Sequence, residues 1–198
     1  MIAMLLGILT TAADDTPYLV EDLIDGATQN GSGFDGGVEL GGFIYFAATT
    51  DELGEELWRT DGTPGGTTEL VKDIFPGVEG SDIEELTVFD GMLFFGANDG
   101  VHGQELWMSD GTPGGTAMFK DIKEGDGYST PRNFTEFNGD LFFSAATEAE
   151  GRELWFYDSS EGEATMLLDI NPGGASSLLT GDRFLSVWNG KLYFAADN

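Results

Sequence analysis

The fold is decided by one stretch of the chain, Glu56-Leu57-Trp58-Arg59-Thr60-Asp61-Gly62-Thr63-Pro64-Gly65-Gly66-Thr67. The stretch returns 49 residues later, from Glu105 to Thr116. A shorter third copy begins 48 residues after that and runs from Glu153 to Asp158. Self-similarity at a fixed period of this length is typical of repeat architectures. The sequence therefore predicts a series of similar structural units.

Each unit carries four short strand signals separated by turn residues. In the second unit the signals are Met92–Ala97, Gln104–Met108, Ala117–Ile122 and Asn133–Phe137. Short runs of β-branched, aromatic and aliphatic residues bounded by Gly, Asn, Asp and Pro are typical of β-strands. No window shows a convincing 3.6-residue apolar period, so we expect little helix.

The first strand signal of each unit is apolar on both of its faces. The four examples are Phe43–Phe46, Met92–Phe95, Leu141–Phe143 and Leu192–Phe194. A strand with one wet face would alternate, so these strands should be covered on both sides. Later strands mix in charge, as Glu69–Asp73 does. This pattern predicts an all-β protein, a β-propeller of four-stranded antiparallel blades. The alternative is a stacked β-solenoid, whose rungs are usually shorter.

The repeat boundaries predict the following organisation. Residues 1–13 are a candidate signal peptide, 14–41 a partial blade with its third and fourth strands, 42–90, 91–138 and 139–189 three blades, and 190–198 the first strand of a further blade. The motif Trp follows the last aromatic of the first strand by 12 residues in each unit, and none follows Phe194. We therefore expect an incomplete propeller, an open arc or poorly closed ring, with self-association through its exposed edges.

The N-terminal segment has an apolar run, Ile2–Thr10, followed by the small residues Thr11-Ala12-Ala13. The run is too short to span a bilayer as a helix. A secretory signal should also carry a positive n-region, which is absent here. Two interpretations stay open: a secretion signal, which predicts an extracellular location, or an arbitrary start inside a longer gene.

The composition narrows the choice of partners. The chain has 198 residues, with 36 acidic against 8 basic side chains and a formal net charge of −28. Nucleic acids and anionic membrane surfaces are disfavoured, because phosphates are bound by clustered Lys and Arg. Such acidity suits a solvated surface or the recruitment of cations. Without Cys there is no disulfide framework, thiol nucleophile or Cys-based zinc site.

The motif carries a family resemblance. Glu-Leu-Trp-x-x-Asp-Gly-Thr followed by Gly-Thr, and then Lys-Asp-Ile, resembles the ELWxxDGT repeat proteins, also called hyalin-like, over about residues 16–198. The resemblance implies a bacterial, secreted or surface-attached β-propeller and no particular activity. The third copy departs from the pattern, because Ser159 and Ser160 follow Asp158 and Glu163 replaces a Gly.

The motif tryptophans have a structural and a functional interpretation. At Trp58, Trp107 and Trp155 we expect packing between blades, with the indole N–H meeting a carbonyl. The alternative is a platform on which sugars stack. Trp188 lies outside the motif, in a strand nearer the rim, and is a better candidate for a surface role.

The Asp-Gly-Thr turns have two interpretations as well. Asp61-Gly62 and Asp110-Gly111 fit a turn with positive φ at Gly, in which the Asp carboxylate accepts from backbone N–H groups. The alternative is that the carboxylate, hydroxyl and carbonyl oxygens of these turns bind calcium. The loop Asn30–Asp35 also resembles one copy of a calcium-binding nonapeptide repeat. If calcium binds, it should act as a stabiliser. Calcium should then raise the melting temperature more than magnesium does at equal ionic strength.

Catalysis has little support in the sequence, and no catalytic residue is assigned. His102 is the single imidazole, and Glu56, Glu105 and Glu153 fall one per unit, whereas a glycosidase needs two carboxylates in one place. We therefore predict a secreted, non-catalytic module for binding or adhesion at a bacterial surface, with an extracellular protein or glycan as its ligand. The alternatives are a carbohydrate-active hydrolase or lyase and a calcium-rigidified spacer.

Overall fold

The computed structural model describes residues 36–63, 65–178 and 185–197. Three predictions lie outside the described residues: the signal peptide, the third strand of the partial blade 14–41 and the loop Asn30–Asp35. Strands dominate the described part, which contains no helix long and apolar enough to cross a membrane. The strands are β1 (Val38–Leu40), β2 (Phe43–Thr50), β3 (Gly54–Thr60), β4 (Thr68–Lys72), β5 (Glu84–Phe89), β6 (Met92–Asn98), β7 (Gln104–Ser109), β8 (Ala117–Lys120), β9 (Arg132–Phe137), β10 (Asp140–Thr147), β11 (Gly151–Asp158), β12 (Glu163–Leu168), β13 (Ser186–Trp188) and β14 (Lys191–Tyr193).

These strands form three antiparallel sheets of four strands and one hairpin. Sheet 1 is β1–β4, sheet 2 is β5–β8 and sheet 3 is β9–β12, each with its strands in chain order; β13 and β14 form the C-terminal hairpin. The predicted all-β class is therefore confirmed, as is the four-stranded antiparallel unit.

The sheets are offset by one strand from the predicted units. The sequence analysis placed Asn133–Phe137 last in the unit 91–138, but β9 pairs with β10 of the following unit. The reason is the turn Asn138-Gly139, in which both residues have positive φ, 55° and 91°. Two such residues make a type I′ turn, which joins strands into a tight hairpin instead of separating units. The same turn geometry joins the first two strands elsewhere, at Gly41-Gly42, Asp90-Gly91 and Asn189-Gly190.

Sheet 2 is covered on both faces, as its apolar sequence predicts. Leu93 and Phe95 of β6 pack against sheet 1, where they meet Tyr45 and Leu57. Phe94, between them on the opposite face, packs against sheet 3. All three side chains of β6 are at most 1% exposed. Both faces of this strand are dry because it lies in the middle of a sheet that sheets 1 and 3 cover from opposite sides.

The motif Leu and Trp interlock neighbouring sheets. Leu57 of sheet 1 shares an apolar cluster with Trp107 of sheet 2, and Leu106 of sheet 2 shares one with Trp155 of sheet 3. Because side chains alternate along a strand, Leu57 and Leu106 face the following sheet, whereas Trp107 and Trp155 face the preceding one. The predicted packing role of Trp is thus confirmed at Trp107 and Trp155, which are 6% and 7% exposed.

The prediction that the indole N–H meets a carbonyl is wrong. Within the described part of the chain, Nε1 of Trp58, Trp107 and Trp155 is buried and has no hydrogen-bond partner. The physical reason is visible at Trp107, whose ring stacks on Phe95 with 6.5 Å between ring centroids and 25° between planes. The indole of Trp107 also belongs to the apolar cluster between sheets 1 and 2, which offers apolar side chains and not a carbonyl.

Successive sheets approach each other along their first strands. Strand β1 contacts β5, β5 contacts β9, and β9 contacts β13. Between β5 and β9 the contact is polar: Arg132 Nη2 lies 2.7 Å from Glu84 Oε2, and the N–H of Asn133 donates to Glu85 Oε2 at 3.0 Å. Glu85 and Asn133 both have positive φ, 62° and 63°, where their strands shift register.

Candidate functional site

A serine in each connecting segment joins two successive sheets through its backbone. The N–H of Ser129 donates to the carbonyl of Gln104 in β7 at 3.1 Å, and its carbonyl accepts from the N–H of Ala146 in β10 at 2.9 Å. Ser129 is completely buried. Equivalent bonds are made 48 residues earlier and later, by Ser81 with Glu55 and Asn98, and by Ser177 with Arg152 and Asp197. These residues form a repeated junction between sheets.

The motif Glu holds the same junction from within its sheet. Glu105 is completely buried, and its carboxylate accepts from the N–H of Ile122 at 2.8 Å and of Ser129 at 3.1 Å. Charge-assisted bonds of this kind are stronger than neutral ones. Glu153 repeats both bonds, accepting from Ile170 and Ser177, whereas Glu56 accepts from the adjacent N–H groups of Ile74 and Phe75. The junction is therefore held by one carboxylate per sheet.

Burial changes the acidity of these carboxyls. It raises the pKa of Glu56 to about 7, although the hydrogen bonds from Ile74, Phe75 and Ser81 act in the opposite direction. Burial also raises the pKa of Glu105, again against the bonds donated by Ser129 and Ile122. Desolvation disfavours the charged form, and here it outweighs the donors.

The pH dependence of stability should report on Glu56. Its pKa of about 7 in the folded state lies above the ordinary 4.5, so folding favours the protonated carboxyl. Its stabilising contribution is fully present below about pH 4.5 and is lost as the pH rises through 7. We expect the free energy of unfolding of the wild type to fall more steeply between pH 5 and pH 8 than that of Glu56→Gln. Urea unfolding at both pH values measures this; parallel profiles for the two proteins would contradict it, and Glu124→Gln, at an exposed position, is the control.

The Asp of each motif closes its own turn, as predicted. Asp61 Oδ1 accepts from the N–H of Thr63 and Oδ2 from the N–H of Thr67, both at 3.0 Å. Gly62 has the expected positive φ of 69°. These donors, Thr67 first, hold the pKa of Asp61 below its usual range. The same turn is made at Asp110 with Thr112 and at Asp158 with Ser160. The third copy thus keeps the turn despite its altered sequence.

The turn geometry bears on calcium. In proteins, calcium is bound by about six to eight oxygen ligands. Both carboxylate oxygens of Asp61 already accept bonds from their own turn, including one from the Thr63 hydroxyl at 2.8 Å. Among the described residues, no three His, Asp or Glu side chains form a group that could hold a metal ion. Calcium stabilisation therefore stays a prediction, tested by the comparison with magnesium described above.

The structure keeps the other candidate residues apart. Glu56, Glu105 and Glu153 lie in β3, β7 and β11, one in each sheet. His102 lies in the turn between β6 and β7, where its Nδ1 is 2.8 Å from Asp99 Oδ2. The bond with Asp99 raises the pKa of His102 and orders this turn. Trp188, the candidate for a surface role, is 70% exposed on the C-terminal hairpin.

Two sets of residues at the junction were missed by the sequence analysis. One is the set of serines Ser81, Ser129 and Ser177; the other is a glycine two residues before each motif Glu, namely Gly54, Gly103 and Gly151. Their constant spacing was the available signal. Arg152 of sheet 3 is a third omission: its guanidinium is buried and donates to the carbonyls of Ser129 and Thr130 in the segment that joins sheet 2 to sheet 3.

Comparison with known proteins found no matching family model, no matching curated protein and no matching solved structure. The resemblance to the ELWxxDGT repeat proteins rests on the motif residues alone. What the chain does is therefore argued from the geometry of the junctions and from the surface.

Proposed function

We propose that the sheets are blades of a β-propeller and that the protein is a secreted, non-catalytic module for binding or adhesion at a bacterial surface. The observation that carries this proposal is the use of the repeated motif residues. Glu and Leu of every copy are buried at the contacts between sheets, and the Asp of every copy closes an exposed turn. The motif therefore builds a scaffold.

The propeller arrangement is supported by how the sheets meet. Sheet 2 packs face to face with sheets 1 and 3 through separate apolar clusters. The first strands of successive sheets are also in contact. Sheets that stack face to face and converge on their first strands match blades arranged around an axis. An experimental structure in which the sheets share no common axis would contradict the arrangement.

The non-catalytic role is supported by the burial and the hydrogen bonds of the motif Glu. Burial, with a smaller contribution from the charge of Asp73, raises the pKa of Glu56 to about 7, which is the acidity of a general acid. Its side chain is nevertheless completely buried, and both of its oxygens accept from backbone N–H groups. A general acid must reach its substrate within hydrogen-bond distance. A structural role explains the raised pKa of Glu56 without a substrate.

The extracellular location is proposed from the N-terminal apolar run and from the motif resemblance. The class of ligand is proposed from the net charge of the chain. A net charge of −28 repels nucleic acids and anionic membranes, which leaves extracellular proteins and glycans as partners. Loops at the edges of rigid scaffolds are where binding residues are usually found.

Two experiments test the proposal: the cellular location of the protein is determined first, and its binding to cells and glycans is measured next. Antibodies against the chain, applied to intact cells of the source with and without external protease, should detect it outside the cell. The labelled chain should then bind intact cells or members of a glycan array. Release of reducing sugars from a polysaccharide panel would instead favour the hydrolase. Surface location without any binding would favour the spacer, and an intracellular location would contradict all three.

A further inference from the structure

Three segments of the chain meet at one edge of sheet 2. Because its four antiparallel strands follow chain order, the segment before β5, the β6–β7 turn and the segment after β8 share that edge. Close contacts flank the turn on both sides. A Cβ added to Gly100 would lie 2.8 Å from the ring of Phe75, and one added to Gly103 would lie 3.2 Å from the ring of Tyr128. The β6–β7 turn is therefore held between Phe75 and Tyr128.

Large apolar side chains are exposed on all three segments. Val78 before β5 is 72% exposed, Val101 in the β6–β7 turn is 65% exposed, and Tyr128 after β8 is 54% exposed. Phe75, three residues before Val78, is half-buried beside them. We call Phe75, Val78, Val101 and Tyr128 the loop surface. Exposed apolar residues that are grouped in this way mark interaction sites, whereas single ones are ordinary.

The repeat does not require these exposed side chains. In the other units the equivalent positions hold small or acidic residues. These equivalents are Asp126 and Gly174 for Val78, Glu52 and Ala149 for Val101, and Gly80 and Ser176 for Tyr128. The junction serines of the same segments, by contrast, are the same in every unit. Packing between sheets therefore accounts for the serines but not for the exposed apolar residues, which converge on one edge of one sheet.

The loop surface is held in place by hydrogen bonds of the backbone. Asp99 Oδ1 accepts from the N–H of Val101 and from that of His102, both at 2.8 Å. The segment that carries Tyr128 is fixed to β7, because the N–H of Ser129 donates to the carbonyl of Gln104. A surface that is ordered before binding loses less conformational entropy when a partner arrives.

The surroundings of the loop surface are acidic. Segments 73–83, 99–103 and 121–131 together contain seven Asp and Glu residues but a single Lys or Arg, which is Lys123. Nζ of Lys123 lies 3.2 Å from Glu148 Oε2, so its charge is already paired. Glu79 and Glu124 are exposed next to the apolar side chains. This rim complements a partner that carries lysine or arginine beside its apolar side chains.

We propose that the loop surface binds a basic segment of another protein, one in which large aliphatic or aromatic side chains lie next to Lys or Arg. The apolar side chains of the partner cover Val78, Val101 and Tyr128, and its cations face the acidic rim. A sugar ring needs a flat aromatic face on which to stack, whereas two of these three side chains are branched aliphatics that pack with other apolar groups. The proposal rests on the proposed binding function and names the class of its partner.

The experiment measures the fluorescence anisotropy of three labelled peptides of equal length as the chain is added. One peptide is built from Lys and Leu, one from Lys and Ser, and one from Glu and Leu. We expect the Lys/Leu peptide to bind about tenfold or more tightly than the others, because it alone matches both the apolar residues and the rim. Added salt should weaken this binding without abolishing it, since salt screens the charges and leaves the apolar contact.

Variants of the apolar side chains test the loop surface itself. Val78→Ser, Val101→Ser and Tyr128→Ser in one protein should weaken binding of the Lys/Leu peptide about tenfold or more and leave the Lys/Ser peptide unaffected. Val187→Ser, at a position that is 47% exposed on the C-terminal hairpin, is the matched control and should change neither. Circular dichroism checks that all variants are folded.

Variants of the acidic side chains separate the rim from the charge of the whole chain. Glu79→Gln with Glu124→Gln should weaken binding of the Lys/Leu peptide several-fold. Glu136→Gln with Glu161→Gln removes the same charge at exposed positions near the other end of the strands of sheet 3, and should have little effect. Equal effects of the two pairs would mean that overall charge attracts the peptide, and the proposal would then be wrong.

The remaining outcomes distinguish this surface from the proposed function. Equal binding of the three peptides, or an equal effect of Val187→Ser, would overturn the proposal. Loss of glycan binding by the triple variant, without any preference among peptides, would assign the loop surface to glycans and overturn the class of partner. If the triple variant bound intact cells as well as the wild type does and no peptide was preferred, this surface would be wrong and the binding function would stand. A wild type that binds neither peptides nor cells would count against both.

Discussion

Glu105→Ala is expected to lower the free energy of unfolding by about 3 kcal/mol, because it leaves buried N–H groups without their acceptor. The N–H of Ile122 donates to this carboxylate at 2.8 Å, and Ser129 donates at 3.1 Å. Truncation also leaves a cavity at a completely buried position, and the cavity lowers the free energy of unfolding further. In a chain of this size the melting temperature should fall by roughly 6–12 °C.

Two further variants separate the lost hydrogen bonds from the lost charge. Glu105→Gln keeps one carbonyl acceptor and the volume of the side chain, so it should be clearly milder than Glu105→Ala. Glu124→Ala, at an exposed position in the segment after β8, should change stability by less than about 0.5 kcal/mol. Thermal unfolding followed by circular dichroism measures all three. Equal losses for Glu105→Ala and Glu124→Ala would mean that general charge, and not the junction, controls stability.

The elements that the sequence predicted correctly depend on local pattern. Strand β6 is apolar at every position from Met92 to Phe95, and a strand of that kind has to be dry on both faces. The turn at Asp61 follows from a carboxylate that reaches N–H groups two and six residues further along. Both results depend on neighbours in the chain, which a sequence displays directly.

The elements that were missed depend on contacts between sheets. Ser129 sits among common turn residues, and its sequence does not show that its N–H and carbonyl bond to different sheets. The indole N–H of Trp107 was expected to find a carbonyl, but its surroundings are set by the apolar face of sheet 1. The pairing of β9 with β10 was available from Asn138-Gly139, a strong hairpin signal that was taken for a boundary between units.

Gly103→Ala is expected to have an effect as large as that of Glu105→Ala, about 3–4 kcal/mol, for two independent reasons. Gly103 has φ of 71°, which costs a side-chain-bearing residue about 1 kcal/mol or more. An added Cβ would also lie 2.0 Å from the carbonyl oxygen of Gly127 and 2.8 Å from its carbonyl carbon. These atoms belong to the backbone of the junction segment, so relief requires a shift of the chain next to Ser129, where the sheets are joined.

Gly114→Ala is the matched control, because no atom lies within 4 Å of its added Cβ and its φ is not positive. It should be neutral or stabilise slightly by reducing the freedom of the unfolded chain. The equivalent glycines extend the test: the added Cβ lies 2.2 Å from the Glu79 carbonyl oxygen at Gly54 but 2.7 Å from Ser176 N at Gly151. Gly151→Ala should therefore be the mildest of the three. Urea unfolding of the four variants checks this order, and a Gly103→Ala protein as stable as Gly114→Ala would show that the junction tolerates displacement.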